Sequence, residues 1–339
     1  MILDEQQVQE YRRRGFVRVA GFVSADRLAA FRGEVDGIAA AAAAGFDPAR
    51  AEMEPGRGAS GEVIRRIYEP CAYYAPFREY SESPAILDSV QQLIGGDLLL
   101  HYSKLNMKPA EVGSVVEWHQ DLSYYPLTNH DSLAVLIYLD DADETNGCLR
   151  VLPGRHRAAL MDHTRSGVFQ GCITEPVDET EAVTLPGKAG TAIFLDAMTP
   201  HASTQNRSGR QRRTLIISYR AADAFPIHID NRTAATETYT RLVRGTRPPQ
   251  ARFTFSRFPI PVYGAKEASL YQLQERSRRD RAAAGADSLR ADGRRPLPFD
   301  PLPQGGGRSP ASPDSAPSPS RSWSPSSRRW GAGRGRGRT

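Results

Sequence analysis

The sequence predicts a mainly β fold of the jelly-roll kind, with helices at its N-terminus. From residue 97 to residue 222, short runs rich in β-branched and aromatic residues alternate with turn signals, of which Asn146-Gly147 is the strongest. Many short strands with few helices between them are typical of a sandwich or barrel. We therefore expect one domain over residues 1–265, with a helical part at 1–96 and a β core at 97–222.

The N-terminal part carries three helix signals. Asp4 and Gln7 have the spacing of a capping box, and Gly15 ends the helix that they open. Ser24 can cap a second, alanine-rich helix, and SPAILDSVQQLIGG has the pattern of a third. FVRVAGF, between the first two helices, predicts a strand, whereas residues 46–62 are rich in glycine, proline and charge and predict a loop.

Two segments of the β core suggest a ligand pocket. In DLLLHYSKLNMK, alternate residues form one face, and the polar half of that face, Lys104 and Asn106, would be costly in a sealed core. We expect this face (Leu98, Leu100, Tyr102, Lys104 and Asn106) to line a wet pocket. Residues 154–180 have weak patterning and predict a long loop over one end of the barrel.

The C-terminal residues differ from the rest of the chain. Residues 266–292 predict a polar helix, and 293–339 are rich in proline, serine, glycine and arginine, which predicts disorder. This tail holds nine arginines against two aspartates, so the remaining residues carry a net charge of −2 out of the total of +5. The basic excess therefore does not indicate a nucleic-acid partner for the folded part, and we prefer an incidental extension to an RNA-binding tail.

The composition and the first residues indicate the expected cellular location. No apolar run approaches the roughly 18 residues of a membrane span, and the first residues lack the layout of a secretory signal. The three cysteines have no C-x-x-C spacing, which is typical of isolated thiols in a reducing compartment. We expect a cytoplasmic protein without a membrane partner.

The stretch EWHQDLSYYP contains the residues that carry chemistry. His119 and Asp121 are two positions apart, so their side chains would share one face of a strand. Such a pair is often a satisfied core contact. A second imidazole, His201 in GTAIFLDAMTPHAS, completes the two-histidine, one-carboxylate set that binds one face of Fe(II) and leaves positions open for substrate and O₂.

A cation follows this set at the start of the last strong strand. Arg212 lies eleven residues after His201, and a guanidinium matches a carboxylate by two parallel N–H···O bonds. A dicarboxylate cosubstrate would suit such a group. The neighbouring Arg213 competes for the same role, although the spacing favours Arg212.

Four pieces of the sequence, taken in order, are similar to a known family. WHQDLSYYP, NGCLRVLPGRH, GTAIFLDAMTPHAS and QNRSGRQRR resemble the phytanoyl-CoA dioxygenase family of Fe(II)/2-oxoglutarate oxygenases. The resemblance runs from about Asp4 to Ala222, roughly two-thirds of the chain. It implies a cupin-like double-stranded β-helix in which His119, Asp121 and His201 hold iron.

The resemblance also implies a cosubstrate site. 2-Oxoglutarate would chelate the iron and place its far carboxylate on Arg212, with Ser203, Arg66 and Lys104 at further contact positions. Two departures affect the shape of this pocket. Lys104 occupies a position that is often apolar in the family, and Leu136 stands where relatives have tryptophan.

Asp121 bears on the outcome of the reaction. The halogenating branch of these oxygenases has a small residue at this position, so the carboxylate favours hydroxylation. The resemblance implies hydroxylation of a C–H bond in a small organic substrate (an acyl-CoA, a lipid-like acid or a specialised metabolite). O₂ is consumed, succinate and CO₂ are released, and ascorbate supports the reaction in vitro. The alternative is a catalytically silent jelly roll that binds a metal or ligand, with an RNA-associating tail; the sequence does not specify the oligomeric state.

Overall fold

A computed structural model describes residues 2–42, 51–54, 63–227, 239–263 and 270–290. The chain up to Arg290 forms one compact unit. The tail, for which the sequence predicts disorder, lies outside the described residues.

Six helices are described, and the first five precede the β core. They are α1 (Glu5–Arg14), α2 (Ala25–Ala42), α3 (Pro70–Tyr73), α4 (Ala75–Ser81), α5 (Pro84–Ile94) and α6 (Leu270–Arg290). The predicted capping box is present, since the Asp4 carboxylate accepts from the Gln7 backbone N–H and the Gln7 side chain accepts from the Asp4 backbone N–H. Gly15 ends α1 with φ of +81°, a conformation that glycine adopts without strain.

Fourteen strands lie in the described part of the chain. They are β1 (Phe16–Val19), β2 (Ala51–Met53), β3 (Ile64–Tyr68), β4 (Leu98–Lys108), β5 (Val116–His119), β6 (Ser132–Tyr138), β7 (Leu149–Val151), β8 (Thr164–Arg165), β9 (Val168–Phe169), β10 (Val183–Leu185), β11 (Ala192–Asp196), β12 (His201–Ser203), β13 (Arg212–Ala221) and β14 (Arg241–Arg244). The molecule is thus mainly β with N-terminal helices, as the sequence predicts.

The strands form two principal antiparallel sheets. The large sheet has the order β1-β11-β6-β13-β4-β3-β2, with β14 also paired to β4, and the small sheet has the order β10-β7-β12-β5. β8 and β9 form a separate hairpin within the predicted loop at 154–180.

One face of the large sheet is covered by the N-terminal helices. Leu215 and Ile217 of β13 belong to the same buried cluster as Phe31 of α2 and Phe77 of α4. Residues two apart on a strand share a face, so the positions between them point to the opposite side. Ile216 accordingly belongs to a different cluster, together with residues of β6 and β7.

Two sequence-based predictions are wrong in detail. The predicted loop at 46–62 contains the short strand β2, which pairs with β3 and extends the sheet by one edge strand. The predicted pocket face of β4 is broken by an irregularity, because Tyr102 pairs with Ser218 while Leu100 pairs with the next residue, Tyr219. The unmatched residue of this bulge reverses the alternation, so Leu98 and Leu100 join the core against the helices instead.

None of the described helices has the length and apolar character needed to cross a membrane.

Candidate active site

The two histidines of the predicted triad meet on neighbouring strands of the small sheet. His119 ends β5 and His201 begins β12, and they are direct partners in the register of the two strands. Their ring centroids lie 4.1 Å apart, and both side chains are buried. Cross-strand pairing therefore brings together two residues that are far apart in the sequence.

Asp121 reaches the histidines from a turn. The expectation that it shares a strand with His119 is wrong, because β5 ends at His119 and Asp121 opens a single 3-10 turn that runs to Ser123. Its Oδ1 nonetheless lies 3.7 Å from Nε2 of His119 and 3.9 Å from Nε2 of His201. One ligand atom from each of the three residues falls within 4.8 Å of the others.

Backbone contacts fix the orientation of both rings. Nδ1 of His119 lies 2.8 Å from the Glu117 carbonyl oxygen, and Nδ1 of His201 lies 3.0 Å from the Thr199 carbonyl oxygen. A carbonyl only accepts, so each Nδ1 carries the proton and each Nε2 presents a lone pair towards Asp121. Burial lowers the pKa of His119 well below 6.5 and also lowers that of His201, which keeps both rings neutral. Neutral imidazoles and a carboxylate are suitable ligands for a first-row transition metal.

The residue between the ligands ties their turn to the long loop. The Gln120 side chain donates to the Met198 carbonyl at 2.6 Å and accepts from the Met161 backbone N–H at 2.8 Å. Its own backbone N–H donates to Nε2 of His163 at 3.1 Å. The loop at 154–180 is therefore attached directly to the ends of the ligand-bearing strands.

The three side chains open into a cavity between the two sheets. Its lining combines polar groups from the strands with apolar residues and the first turn of α6. The lining residues are Arg66, Lys104, Asn106, Val116, His119, Asp121, Ala134, Leu136, Leu149, His201, Ala202, Ser203, Arg212, Thr214, Ile216, Leu270 and Tyr271.

The adjacent Arg212 and Arg213 lie on opposite sides of β13. Arg212 lines the cavity, and its buried Nε has no hydrogen-bond partner within the described part of the chain. Arg213 faces the helices, where it donates to both oxygens of Asp140 and to Asp36 of α2. The strand alternation thus leaves Arg212 available to a ligand, while Arg213 is engaged in ion pairs.

The other predicted cosubstrate contacts also face the cavity. Arg66 donates to Oδ1 of Asn106 at 2.9 Å, and Ser203 ends the strand that begins with His201. Lys104 is partly buried, and burial lowers its pKa to about 8, against the opposing effect of Asp121. Leu136 lines the same cavity.

Sequence reasoning did not find the wall formed by α6. Leu270 and Tyr271 are buried and line the cavity. The centroid of the Tyr271 ring lies 3.9 Å from the guanidinium carbon of Arg65 and 4.7 Å from that of Arg66. Aromatic rings attract cations at such distances. No local motif could have indicated this contact, since Tyr271 and Arg66 are more than two hundred residues apart.

Gln274 attaches α6 to the strand that bears His119. Its Oε1 accepts from the Glu117 backbone N–H at 2.9 Å, and its amide nitrogen donates to the Gly171 carbonyl at 2.7 Å. Arg278 adds an ion pair to the Glu117 carboxylate at 3.2 Å. The helix is therefore coupled to the metal-binding side of the cavity.

A comparison with family models matches residues 11–214 to the phytanoyl-CoA dioxygenase (PhyH) family. The chain belongs to the PhyH family. It is 34% identical over 230 residues to a probable alpha-ketoglutarate-dependent hypophosphite dioxygenase of Stutzerimonas stutzeri, covering 66% of this chain and 80% of that protein. It is 27% identical to an ectoine dioxygenase of Bordetella bronchiseptica, covering 65% of this chain and 76% of the relative.

Solved structures support the same assignment of this PhyH-family chain. The crystal structure of EctD from S. alaskensis with bound Fe has a TM-score of 0.55 and 26% identity, covering 65% of this chain and 77% of that chain. EctD with 2-oxoglutarate and 5-hydroxyectoine has a TM-score of 0.54 and 25% identity, with the same coverage. The predicted jelly-roll fold, the dioxygenase class and the requirement for Fe(II), 2-oxoglutarate and O₂ are confirmed.

Proposed function

We propose that His119, Asp121 and His201 are the iron ligands of this PhyH-family dioxygenase and that Arg212 binds the far carboxylate of 2-oxoglutarate. Ser203 and Arg66 contribute to the cosubstrate site, whereas the remaining expected contact, Lys104, is left for the substrate. The observation that carries this proposal is the convergence, in one cavity, of the three ligand atoms and the Arg212 guanidinium, whose Nε has no hydrogen-bond partner among the described residues.

The donor set fits a ferrous ion. Two neutral imidazoles present Nε2, and one carboxylate oxygen lies within 4 Å of both. The buried, unpartnered Nε of Arg212 fits an anion, because an unpaired guanidinium loses hydration without recovering hydrogen bonds. The two groups together match a molecule that has a chelating end and a free carboxylate.

When bound, ferrous iron activates O₂ with the oxidative decarboxylation of 2-oxoglutarate to succinate and CO₂. The residues of the chain perform the remaining tasks. Arg212 orients the cosubstrate, while the carbonyls of Glu117 and Thr199 keep both imidazoles in the ligating tautomer. Leu270 and Tyr271 exclude water from the cavity, which protects reactive species from side reactions.

The proposed substrate is a small polar molecule that becomes hydroxylated. The named substrates of the curated relatives are small and polar, namely hypophosphite, ectoine and L-proline. The buried side chains of Leu270 and Tyr271 take up one wall of the cavity, which favours a small molecule.

The test is a turnover assay on the purified protein. Fe(II), ascorbate and 2-oxoglutarate are added with hypophosphite, ectoine or L-proline, and succinate and O₂ consumption are measured. We expect succinate formation that depends on both iron and 2-oxoglutarate and increases with a substrate. A His201→Ala variant is the control and should show none. A wild-type protein that binds iron and 2-oxoglutarate but forms no succinate would favour the catalytically silent alternative.

A further inference from the structure

The cavity carries more positive charge than iron and 2-oxoglutarate require. Three cations line it (Arg66, Lys104 and Arg212), against the single carboxylate of Asp121. The ferrous ion and the 2-oxoglutarate dianion cancel each other, so two positive charges of the lining remain. Glu52 lies 4.0 Å from Arg66 and can offset one of them, although it also pairs with Arg65 at 2.6 Å. At least one positive charge is therefore left without a counter-charge.

Arg212 and Lys104 have no hydrogen-bond or ion-pair partner among the described residues, and the proposed 2-oxoglutarate contact engages Arg212 but not Lys104. Among the described residues, the Lys104 ammonium group makes no hydrogen bond or ion pair. Its aromatic contact is Tyr102, with 5.9 Å between Nζ and the ring centroid. The charges that act on it are Asp121, which attracts it, and Arg66, which repels it.

Lys104 lies on the face of the large sheet that lines the cavity. It pairs with Ile216 on β13 and with Tyr68 on β3, and two residues further along β4 Asn106 pairs with Thr214 and Arg66. Lys104 is thus a neighbour of the cavity-lining strands on both sides. A partly buried ammonium that lacks a counter-charge is costly, and a bound anion removes that cost.

We propose that the substrate of this enzyme is a small anion whose negative group pairs with Lys104. This inference rests on the proposed function, because the charge count includes the iron and 2-oxoglutarate.

The experiment measures anion binding without turnover. The wild-type protein is loaded with Mn(II) and 2-oxoglutarate and titrated calorimetrically with hypophosphite and, separately, with acetate. We expect saturable binding of at least one of the two anions. Lys104→Met should weaken that binding by about tenfold or more, which corresponds to about 1.4 kcal/mol. The affinity for 2-oxoglutarate should stay within a few-fold of the wild-type value, which also shows that the variant folds.

The matched control is Lys188→Met. Lys188 is exposed and pairs with Asp141 outside the cavity, so its removal should leave anion binding unchanged. The inference is wrong if neither anion binds the loaded wild-type protein, if Lys104→Met binds them equally well, or if Lys104→Met instead loses 2-oxoglutarate. Failure of the wild-type protein to bind Mn(II) or 2-oxoglutarate would contradict the proposed function itself.

Discussion

The two principal sheets supply different chemistry to one cavity. The small sheet provides the neutral donors, because His119 and His201 are paired on β5 and β12. The large sheet provides the cations, with Arg66 on β3, Lys104 on β4 and Arg212 on β13. In the proposed assignment the two imidazole ligands lie on the small sheet and the three cations lie on the large sheet, so substitutions of these residues should affect metal binding and anion binding separately.

The largest expected effect is on the proposed metal ligands, which lie on or directly after strands of the small sheet. His201→Ala or Asp121→Ala should weaken iron binding by more than the roughly 10–100-fold that is typical of changes around a ligand, because each removes a ligand itself. Calorimetric titration with Fe(II) under anaerobic conditions measures this loss. His156→Gln is the control, since His156 lies outside the cavity lining. Full iron affinity in Asp121→Ala would contradict the ligand assignment.

Arg212 and Arg213 allow ligand binding and fold stability to be compared within a single strand of the large sheet. Arg212→Ala should lower the affinity for 2-oxoglutarate by about 2–5 kcal/mol, the usual cost of losing one partner of a buried charge pair, and should leave iron binding intact. Arg213→Ala should instead lower the free energy of unfolding by about 1–3 kcal/mol, because Asp140 and Asp36 lose their partner. Titration with 2-oxoglutarate and chemical denaturation distinguish the two variants. The reverse pattern would show that the roles are exchanged.

A smaller effect is expected where α6 contacts the strand that bears His119. Gln274→Ala removes two hydrogen bonds, worth about 1 kcal/mol each, so α6 should detach more often. Cys172 reports this opening, because it is buried and its Sγ lies 3.4 Å from the Ser277 hydroxyl of α6. We expect alkylation of Cys172 to become several-fold faster, as measured by mass spectrometry.

The alkylation experiment has two controls. The buried Cys71 lies near α4, where its Sγ donates to the Phe77 carbonyl oxygen, and should remain as slow as in the wild-type protein. Arg279→Ala removes an exposed side chain that pairs with Glu275 within α6, so it should not change the rate at Cys172. An unchanged rate in Gln274→Ala would mean that Gln274 does not hold the helix.

The smallest effect concerns a carboxyl group of the large sheet outside the cavity. Burial raises the pKa of Asp196 to about 7, against opposing hydrogen bonds from the Met198 N–H and the Tyr11 hydroxyl. Because its pKa is higher in the folded state, Asp196 contributes stability below its ordinary value near 3.8, and this contribution is lost as the pH rises towards 7.

Asp196→Asn should remove this dependence. The difference in melting temperature, variant minus wild type, should increase between pH 4 and pH 8, by an amount equivalent to roughly 1–3 kcal/mol. Iron and 2-oxoglutarate affinities should not change, because Asp196 does not line the cavity. A difference that stays constant with pH would show that the carboxyl is ionised throughout.

Short-range sequence patterns were sufficient to predict the start of the first helix and the residue types of the proposed metal site. The capping box at Asp4 and the donor types at His119, Asp121 and His201 depend on local spacing and residue chemistry. The choice between Arg212 and Arg213 depends on which face of β13 meets the helices, and that is decided by packing. The bulge opposite Ser218 and Tyr219 likewise has no local signal, so the face of β4 could not be assigned along its whole length.

The role of α6 lay beyond sequence reasoning for a different reason. The sequence predicts a polar helix at residues 266–292, and α6 lies within this range, but the contacts that matter join Gln274 to Glu117, which are 157 residues apart. Contacts at such separations are set by the tertiary structure. The wall of the cavity could therefore be recognised only once the barrel and the helix were seen together.

The most direct test of the central claim is an anaerobic titration of the purified protein with Fe(II), followed by 2-oxoglutarate, in a spectrophotometer. We predict one ferrous ion per chain and a new visible absorption band on adding 2-oxoglutarate. Arg212→Ala should shift this second step to higher concentrations, and His201→Ala should abolish both steps. A wild-type chain that takes up no ferrous ion, or a His201→Ala variant that titrates like the wild type, would contradict the account.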